Sequence, residues 1–397
     1  MNYRFAGFEL DTDAFDLRYD GHSVHVEPQV FELLAYIVEN AHRVVPKAEL
    51  VARIWPDGFI SDTALSSRLA SARRALGDSG HAQRFIKTIH GRGIRFVGQM
   101  ETENATDGAS LATTQPDQVV RFCRSRDGTH IAFASLGTGL PFVKAPNWIT
   151  HLNLDLESPI WGHWLREIAS RRQLIRHDTR GSGMSDWNPR ELTFERMVED
   201  LEAVVDTLDL SPFPLIGLSQ GGPIAIEYAL RHPEKVSRLI LHGAYGRGWR
   251  HRSPDSREHG DIEFAMIRSG WGDPLSGFSV NFAADFVPGV QFERLEWLIE
   301  LQRQSATPEN AHRIFDAIGH IDILGRCAEL RVPTLVLHAA GDRQVPYEEG
   351  VLLAATIPNA TFVRLESANH ITLEDEPAWG VWRRAFWEFV GQGETRG

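Results

Sequence analysis

The chain has 397 residues, 42% of them hydrophobic and 24% charged, with a formal net charge of −12. At about 100–200 residues per domain this length implies two or three domains, and the composition excludes disordered, collagen-like and disulfide-scaffold classes. Cys123 and Cys327 stand far apart and in no metal-ligand spacing, so neither a disulfide framework nor a zinc site is expected, and no metal or cofactor is read.

The first run of elements occupies residues 1–98. Tyr3–Leu10, Phe15–Tyr19 and Ser23–Val26 read as short strands, with Asp20-Gly21 as a turn. Pro28 opens a helix on which Phe31, Leu34, Ala35 and Val38 recur at the amphipathic period, and Asn40 can close it. Pro46 starts a second helix, ended by Trp55-Pro56-Asp57-Gly58, and Ser61 or Asp62 caps a third that points Leu65, Leu69, Ala72 and Leu76 inward. Phe85–Ile89 and Ile94–Val97 flank His90-Gly91-Arg92-Gly93, a hairpin with a glycine-rich tip. Residues 1–98 hold 12 basic and 12 acidic side chains, so the net negative charge lies wholly beyond them. From Thr63 to Gly98 seven basic residues face one acid, Asp78, a local footprint for phosphate.

The stretches EPQVFELLAYIVENAHRVVPKAELVARIW, SDTALSSRLASARRALGD and FIKTIHGRGIRFVG, in that order, resemble the winged-helix output domain of OmpR/PhoB- and CadC-type transcription regulators. The resemblance implies that the helix from about Asp62 to Leu76 enters the major groove of double-stranded DNA and that Arg92, at the hairpin tip, reaches the adjacent minor groove. The physics agrees: hydroxyl and guanidinium groups read base edges or hold phosphates, and a narrow minor groove concentrates negative potential. Thr63, Ser66, Ser67, Arg68, Arg73, Arg74 and Arg92 are the expected DNA-contacting residues. Unlike CadC-type proteins, this chain has no transmembrane segment after the domain. No apolar run reaches about 18 residues, and no signal-peptide core follows Met1, so a cytoplasmic protein away from membranes is expected.

Residues 99–118 read as a linker, since Glu101–Gln118 is nearly devoid of large apolar side chains. From Val119 strands alternate with helices: Val119–Arg124, Thr129–Ser135, Leu140–Ala145, Gln173–His177, Pro214–Leu218, Val236–His242, Pro333–His338 and Thr361–Leu365 are strands, while Pro159–Ala169, Thr193–Leu208, a segment up to His232 and one from Pro377 are helices. That alternation implies a mainly parallel sheet covered on both faces. Between about 245 and 323 the alternation lapses into an aromatic-rich insert, expected to be a helical cap.

Gly217-Leu218-Ser219-Gln220-Gly221-Gly222 joins a strand to a helix through G-x-S-x-G, a nucleophile elbow. Asp342 follows a later strand and His370 the last one, so the order is Ser, Asp, His. Residues 119–392 of a domain expected to span 119–397 resemble the α/β-hydrolase superfamily, and His177–Ser185 matches its D-x-R-G-x-G-x-S loop, read as structural. The segment Phe142–Asp155 is similar to a subgroup often joined to regulatory or signalling modules. The resemblance implies Ser219 as nucleophile, His370 as general base and Asp342 as its orienter. Where many relatives have His-Gly after the third strand, this chain has Ala145-Pro146-Asn147-Trp148; Pro146 has no N–H, so an oxyanion hole would rest on Gln220 with Asn147 or Trp148. Trp148, Trp249, Trp271 and Phe282 are the expected ligand-pocket residues.

The fold expected is α/β: an N-terminal winged helix-turn-helix domain plus a C-terminal α/β-hydrolase fold with a helical cap. The function expected is a one-component transcriptional regulator, working as a homodimer, that senses and can hydrolyse a small apolar or aromatic ligand. The alternative is a serine esterase with an accessory DNA-binding domain; haloperoxidase-like or C–C bond hydrolase chemistry uses the same residues.

Overall fold

The computed structural model describes residues 2–12, 14–41, 43–55, 62–78, 83–89, 92–98, 118–210, 212–273 and 276–391. The chain divides into two compact units, Met1–Gln115 and Pro116–Gly397. The expected linker lies outside the described residues except for Gln118, whose side-chain amide donates to the Leu152 carbonyl at 3.2 Å and to Asn153 Oδ1 at 3.0 Å.

In the first unit β1 (Asn2–Phe5), β2 (Phe8–Asp11), β3 (Asp16–Tyr19) and β4 (His22–Ser23) pair antiparallel in chain order. The run expected as one strand from Tyr3 to Leu10 is instead a hairpin, turned at Ala6 (φ 47°) and Gly7 (φ 82°). An alanine in the left-handed region goes against its own preference, so composition alone does not signal this turn. Three helices follow, α1 (Pro28–Glu39), α2 (Lys47–Ile54) and α3 (Asp62–Ala75), and then the hairpin of β5 (Ile86–Ile89) and β6 (Gly93–Phe96). Mutual backbone hydrogen bonds between Val45 and Ile94, at 2.7 and 2.8 Å, stitch β6 to the residues ahead of α2. Phe5, Leu10, Leu33, Ile37, Leu69 and Phe96 share one apolar core, so sheet, helices and hairpin form a single winged-helix body.

The second unit is built on an eight-stranded mixed sheet of β7 (Val119–Arg124), β8 (His130–Leu136), β9 (Pro141–Lys144), β10 (Gln173–His177), β11 (Phe213–Leu218), β12 (Val236–His242), β13 (Thr334–Ala339) and β14 (Thr361–Leu365). Their spatial order is β14-β13-β12-β11-β9-β10-β8-β7. Only β8 runs against the others; the remaining pairings among β9 to β14 are parallel. The inner strand β11 is apolar throughout, and β13 is buried along its whole length although it carries Thr334 and His338, as fits parallel strands covered on both faces. The helices against the sheet are α4 (Gly162–Ala169), α5 (Phe194–Leu208), α6 (Gly221–Arg231), α11 (Tyr347–Thr356) and α12 (Pro377–Gly391). The helix expected from Pro159 begins only at Gly162, because Leu154–Glu157 forms a separate 3₁₀ turn ahead of it.

Four more helices, α7 (Pro254–Gly270), α8 (Gly277–Phe286), α9 (Phe292–Ser305) and α10 (Pro308–Gly319), fill the interval between β12 and β13. Ser253 and Thr307 cap α7 and α10, each followed by proline at the first helical position, so the sequence marks both starts. Arg180 is wholly buried and binds Asp200, Asp127, Ser125 and the Glu191 carbonyl, which ties four segments together and keeps it from any ligand. Among the described residues no helix is long and apolar enough to cross a membrane.

Candidate active site and nucleic-acid interface

Ser219 sits between the end of β11 and the start of α6, in the left-handed region at φ 48°, with its N–H donating to the His242 carbonyl at 2.9 Å. Such a backbone is costly for a side-chain-bearing residue and persists only where its surroundings fix it. The flanking glycines supply the fixing: a Cβ on Gly217 would lie 2.4 Å from the Gly221 carbonyl oxygen, and one on Gly222 would lie 2.3 Å from the Ala244 Cβ.

His370 and Asp342 come from loops after β14 and β13. The imidazole Nδ1 lies 2.6 Å from Asp342 Oδ2. Asp342 Oδ1 accepts from the Gln344 and Val345 amides, both at 2.9 Å. Burial pushes this carboxyl upward, but the His370 ring beside it and these donors hold it below the usual carboxylate range. An ionised carboxylate only accepts, so Nδ1 carries the hydrogen and Nε2 is left as the basic nitrogen. Ser219 and His370 line one small recess of about 40 Å³, which places hydroxyl and ring on the same space.

The loop carrying His370 is held from three sides. The His242 ring donates to the His370 carbonyl at 3.0 Å, and Trp164 Nε1 donates to the Thr372 carbonyl at 2.8 Å. The His370 N–H in turn donates at 2.9 Å to the carbonyl of Phe286, the last residue of α8. Burial lowers His242 to about 3, so its ring is neutral and the donated hydrogen sits on Nε2. Gly243 (φ 53°) completes the enclosure, because a Cβ there would stand 2.8 Å from His370 Cε1. Neither His242 nor Gly243 is singled out by sequence motif; both are neighbours only through the sheet.

Gln220 is the N-terminal cap residue of α6, so its amide lies at the positive end of a helix. Asn147 is engaged by Lys144, whose Nζ donates to Asn147 Oδ1 at 2.5 Å. Burial brings Lys144 down to about 8. Lys144, Asn147, Trp148 and Ser219 all line the small recess, so a cation stands beside the expected oxyanion loop where many relatives have His-Gly.

A larger cavity of about 390 Å³ opens over Ser219 and Gln220. Trp148, Trp249 and Phe282 line it, as expected from sequence, with Tyr245, Phe286 and Phe315. Trp271 does not. It is buried with its Nε1 bonded to the Ala306 carbonyl at 3.0 Å and packs edge-on behind Trp148, 5.9 Å between ring centres. Trp148 Nε1 is buried and has no hydrogen-bond partner among the described residues, on a side chain that walls both recesses. The far wall is polar, with Arg252, His259, Glu263, Asp285 and Arg343.

In the winged-helix unit, Ser66, Ser67, Arg74 and Arg92 are exposed. The Thr63 side chain and the wing residues His90 and Gly91 lie outside the described residues. Arg73 departs from expectation. It is only 7% exposed, with Nε donating to the Ile86 carbonyl at 2.9 Å and Nη2 to Thr88 Oγ1 at 2.8 Å, so it locks α3 to the wing and cannot reach DNA from there. Arg68 is half-buried and paired with Glu27, which neutralises it. Lys87 and Arg95, two of the seven basic residues of this stretch but not among the expected DNA-contacting residues, are exposed and directly opposite each other on β5 and β6. Like charges at that position repel, and an anionic partner relieves them. The acid in this stretch, Asp78, is buried and accepts from the Arg84 and Phe85 amides.

Comparison with known proteins agrees with this geometry. A model of the alpha/beta hydrolase fold matches residues 152–377, and one described as transcriptional regulatory protein, C terminal, matches residues 21–96. The chain belongs to the α/β-hydrolase-fold family, and it carries an OmpR/PhoB-type DNA-binding domain of transcriptional regulators ahead of that fold. It is 25% identical over 261 residues to the AB hydrolase superfamily protein YisY of Bacillus subtilis, covering 64% of this chain and 94% of that protein. Identity reaches 30% over 210 residues with the 2-hydroxy-6-oxo-2,4-heptadienoate hydrolase of Pseudomonas putida, covering 49% of this chain and 71% of the relative. Among solved structures, an esterase from Exiguobacterium antarcticum superposes with a TM-score of 0.59 at 23% identity, over 68% of this chain and 98% of that one, a likeness of fold.

Proposed function

We propose that the chain is a cytoplasmic one-component transcriptional regulator, acting as a homodimer, whose hydrolase-fold unit holds a small apolar or aromatic carbonyl compound over Ser219 and can cleave it. The observation that carries the reading is the aromatic-lined cavity at Ser219, which shares a smaller recess with the Asp342-bonded His370, in a chain that also matches an OmpR/PhoB-type DNA-binding domain. A ligand moves DNA affinity only if the DNA-competent and incompetent states bind it differently, and a tenfold effect needs a tenfold difference. A single winged helix makes few contacts, so two copies on paired half-sites supply affinity.

In the cleavage step, Ser219 Oγ attacks the carbonyl carbon while His370 Nε2 takes its proton. The amides of Gln220 and of Asn147 or Trp148 face the resulting oxyanion, His370 returns the proton to the leaving group, and water releases the acyl group by the same route. The unpartnered Trp148 Nε1 offers one more donor to a carbonyl or ether oxygen of the ligand.

The test uses the full chain and DNA selected from a random pool. A fluorophosphonate attached to Ser219 fills the cavity in place of an acyl group. A change of DNA affinity of about tenfold or more supports sensing; affinity within twofold of the unmodified chain refutes it. The second reading, an esterase with an accessory DNA-binding domain, rests on the His370–Asp342 pair at 2.6 Å. It requires turnover of short-chain nitrophenyl esters that disappears in Ser219→Ala.

A further inference from the structure

Opposite the aromatic half of the large cavity, His259 and Glu263 stand one turn apart on α7 and Asp285 stands near the end of α8. His259 Nε2 is 3.5 Å from Glu263 Oε1 and 3.8 Å from Asp285 Oδ2, and one donor atom of each residue falls within 4.8 Å of the others. Glu263 is only 8% exposed, and it lines the cavity. Its one ion-pair partner among the described residues is the His259 ring. Neither cavity arginine forms an ion pair with the acids among the described residues, although Arg252 acts on Glu263 and Arg343 on Asp285 from a distance. Arg252 is spent on the Arg247 and Gln344 carbonyls and on the Tyr245 ring, and Arg343 makes no ion pair among the described residues.

Two carboxylates held near each other repel, and a charge as desolvated as that of Glu263 is costly unless it is well partnered. A cation among the three donors removes that penalty. One imidazole nitrogen and two carboxylate oxygens suit a first-row divalent ion. Bonds of about 2.1 Å in tetrahedral array put ligand atoms about 3.4 Å apart, so the closer pairs need little adjustment.

We propose that His259, Glu263 and Asp285 form a divalent-cation site in the cap, with the ion's remaining position open to the cavity. The ion would bind an anionic or carbonyl oxygen of the molecule held there. It would also pin α7 to α8, whose last residue, Phe286, carries the carbonyl that receives the His370 N–H. Cation binding itself does not depend on the proposed function; the contact from the ion to an oxygen of the held molecule rests on that reading.

The full chain, stripped with chelator and dialysed, is titrated with Zn²⁺ and with Mn²⁺ by calorimetry, and Co²⁺ absorption reports the ligand field. One equivalent should bind to the wild type. Removing a direct ligand should weaken it by at least about tenfold, in keeping with the 10–100-fold lost when only a ligand's supporting group is removed. His259→Ala is the primary variant because that side chain is 56% exposed and its loss leaves the core intact; Glu263→Gln is the second. No saturable equivalent in the wild type, or the same affinity in both folded variants, overturns the proposal. Fluorophosphonate labelling of Ser219, measured on the same samples, reports the hydrolase site separately.

Discussion

Gly243→Ala tests whether the enclosure around His370 is set to sub-ångström tolerance. The added Cβ would lie 2.8 Å from Cε1 and 3.0 Å from Nδ1 of the ring, and 3.5 Å from Asp342 Oδ2. Carbon contacts settle at about 3.5–4.0 Å, so the ring must retreat by roughly 0.5–1 Å. The 2.6 Å bond to Asp342 resists that movement, and the shift therefore re-aims Nε2, which in the proposed reaction must serve Ser219. Misplacement of about 1 Å costs about 10²-fold in rate. Ser219 labelling by a fluorophosphonate should slow by about 10–100-fold, without any need to know the natural ligand. The backbone at φ 53° adds about 1–2 kcal/mol of strain for alanine, a loss of a few degrees in Tm for a unit of this size. Labelling within twofold of wild type in a folded Gly243→Ala protein, with Ser219→Ala unlabelled, would refute the reasoning.

Asp342→Asn should keep the fold but free the imidazole to take the wrong tautomer, lowering nitrophenyl ester kcat by about 10⁴-fold with little change in KM. Arg73→Ala should destabilise the winged-helix unit by about 1–3 kcal/mol, since two buried hydrogen bonds are lost; Arg74→Ala should leave its melting unchanged yet reduce the salt dependence of DNA binding by about one phosphate contact. Equal melting of the two variants would contradict this division. Lys144 titrates at about 8 in the fold against 10.5 when unfolded. The folded state disfavours its charge, so below pH 8 it costs about 3 kcal/mol, and that cost fades as pH rises from 8 to 10.5. Wild type should therefore gain stability relative to Lys144→Met across that window, measured by denaturant melts; parallel pH profiles would count against it.

Much of the architecture is legible because local signals agree with the global fold. The strand-glycine-serine-glycine-helix run, the proline starts of the cap helices and the apolar runs of β11 to β13 each fix one element. Polar side chains are where reading by period fails. Arg73 and Arg74 are adjacent and look alike, yet the helix turns one into the core and the other out to solvent. Trp271 has the composition of a pocket residue, but its indole finds a carbonyl behind Trp148. Gly243 gains its meaning only across strands, where it faces His370. The spacing of His259 and Glu263 was readable as one helix face, but Asp285, two dozen residues on, joins them only by the packing of α7 on α8.

The hydrogen bond from His370 to Phe286 makes the general base lean on the roof of its own chamber. A guest small enough to let that roof seat would meet a primed histidine and be destroyed. A bulkier guest that props the roof open would loosen the ring and survive. Under the proposed sensing and cleavage, molecular size alone would then sort incoming compounds into fleeting and lasting messages at one and the same position.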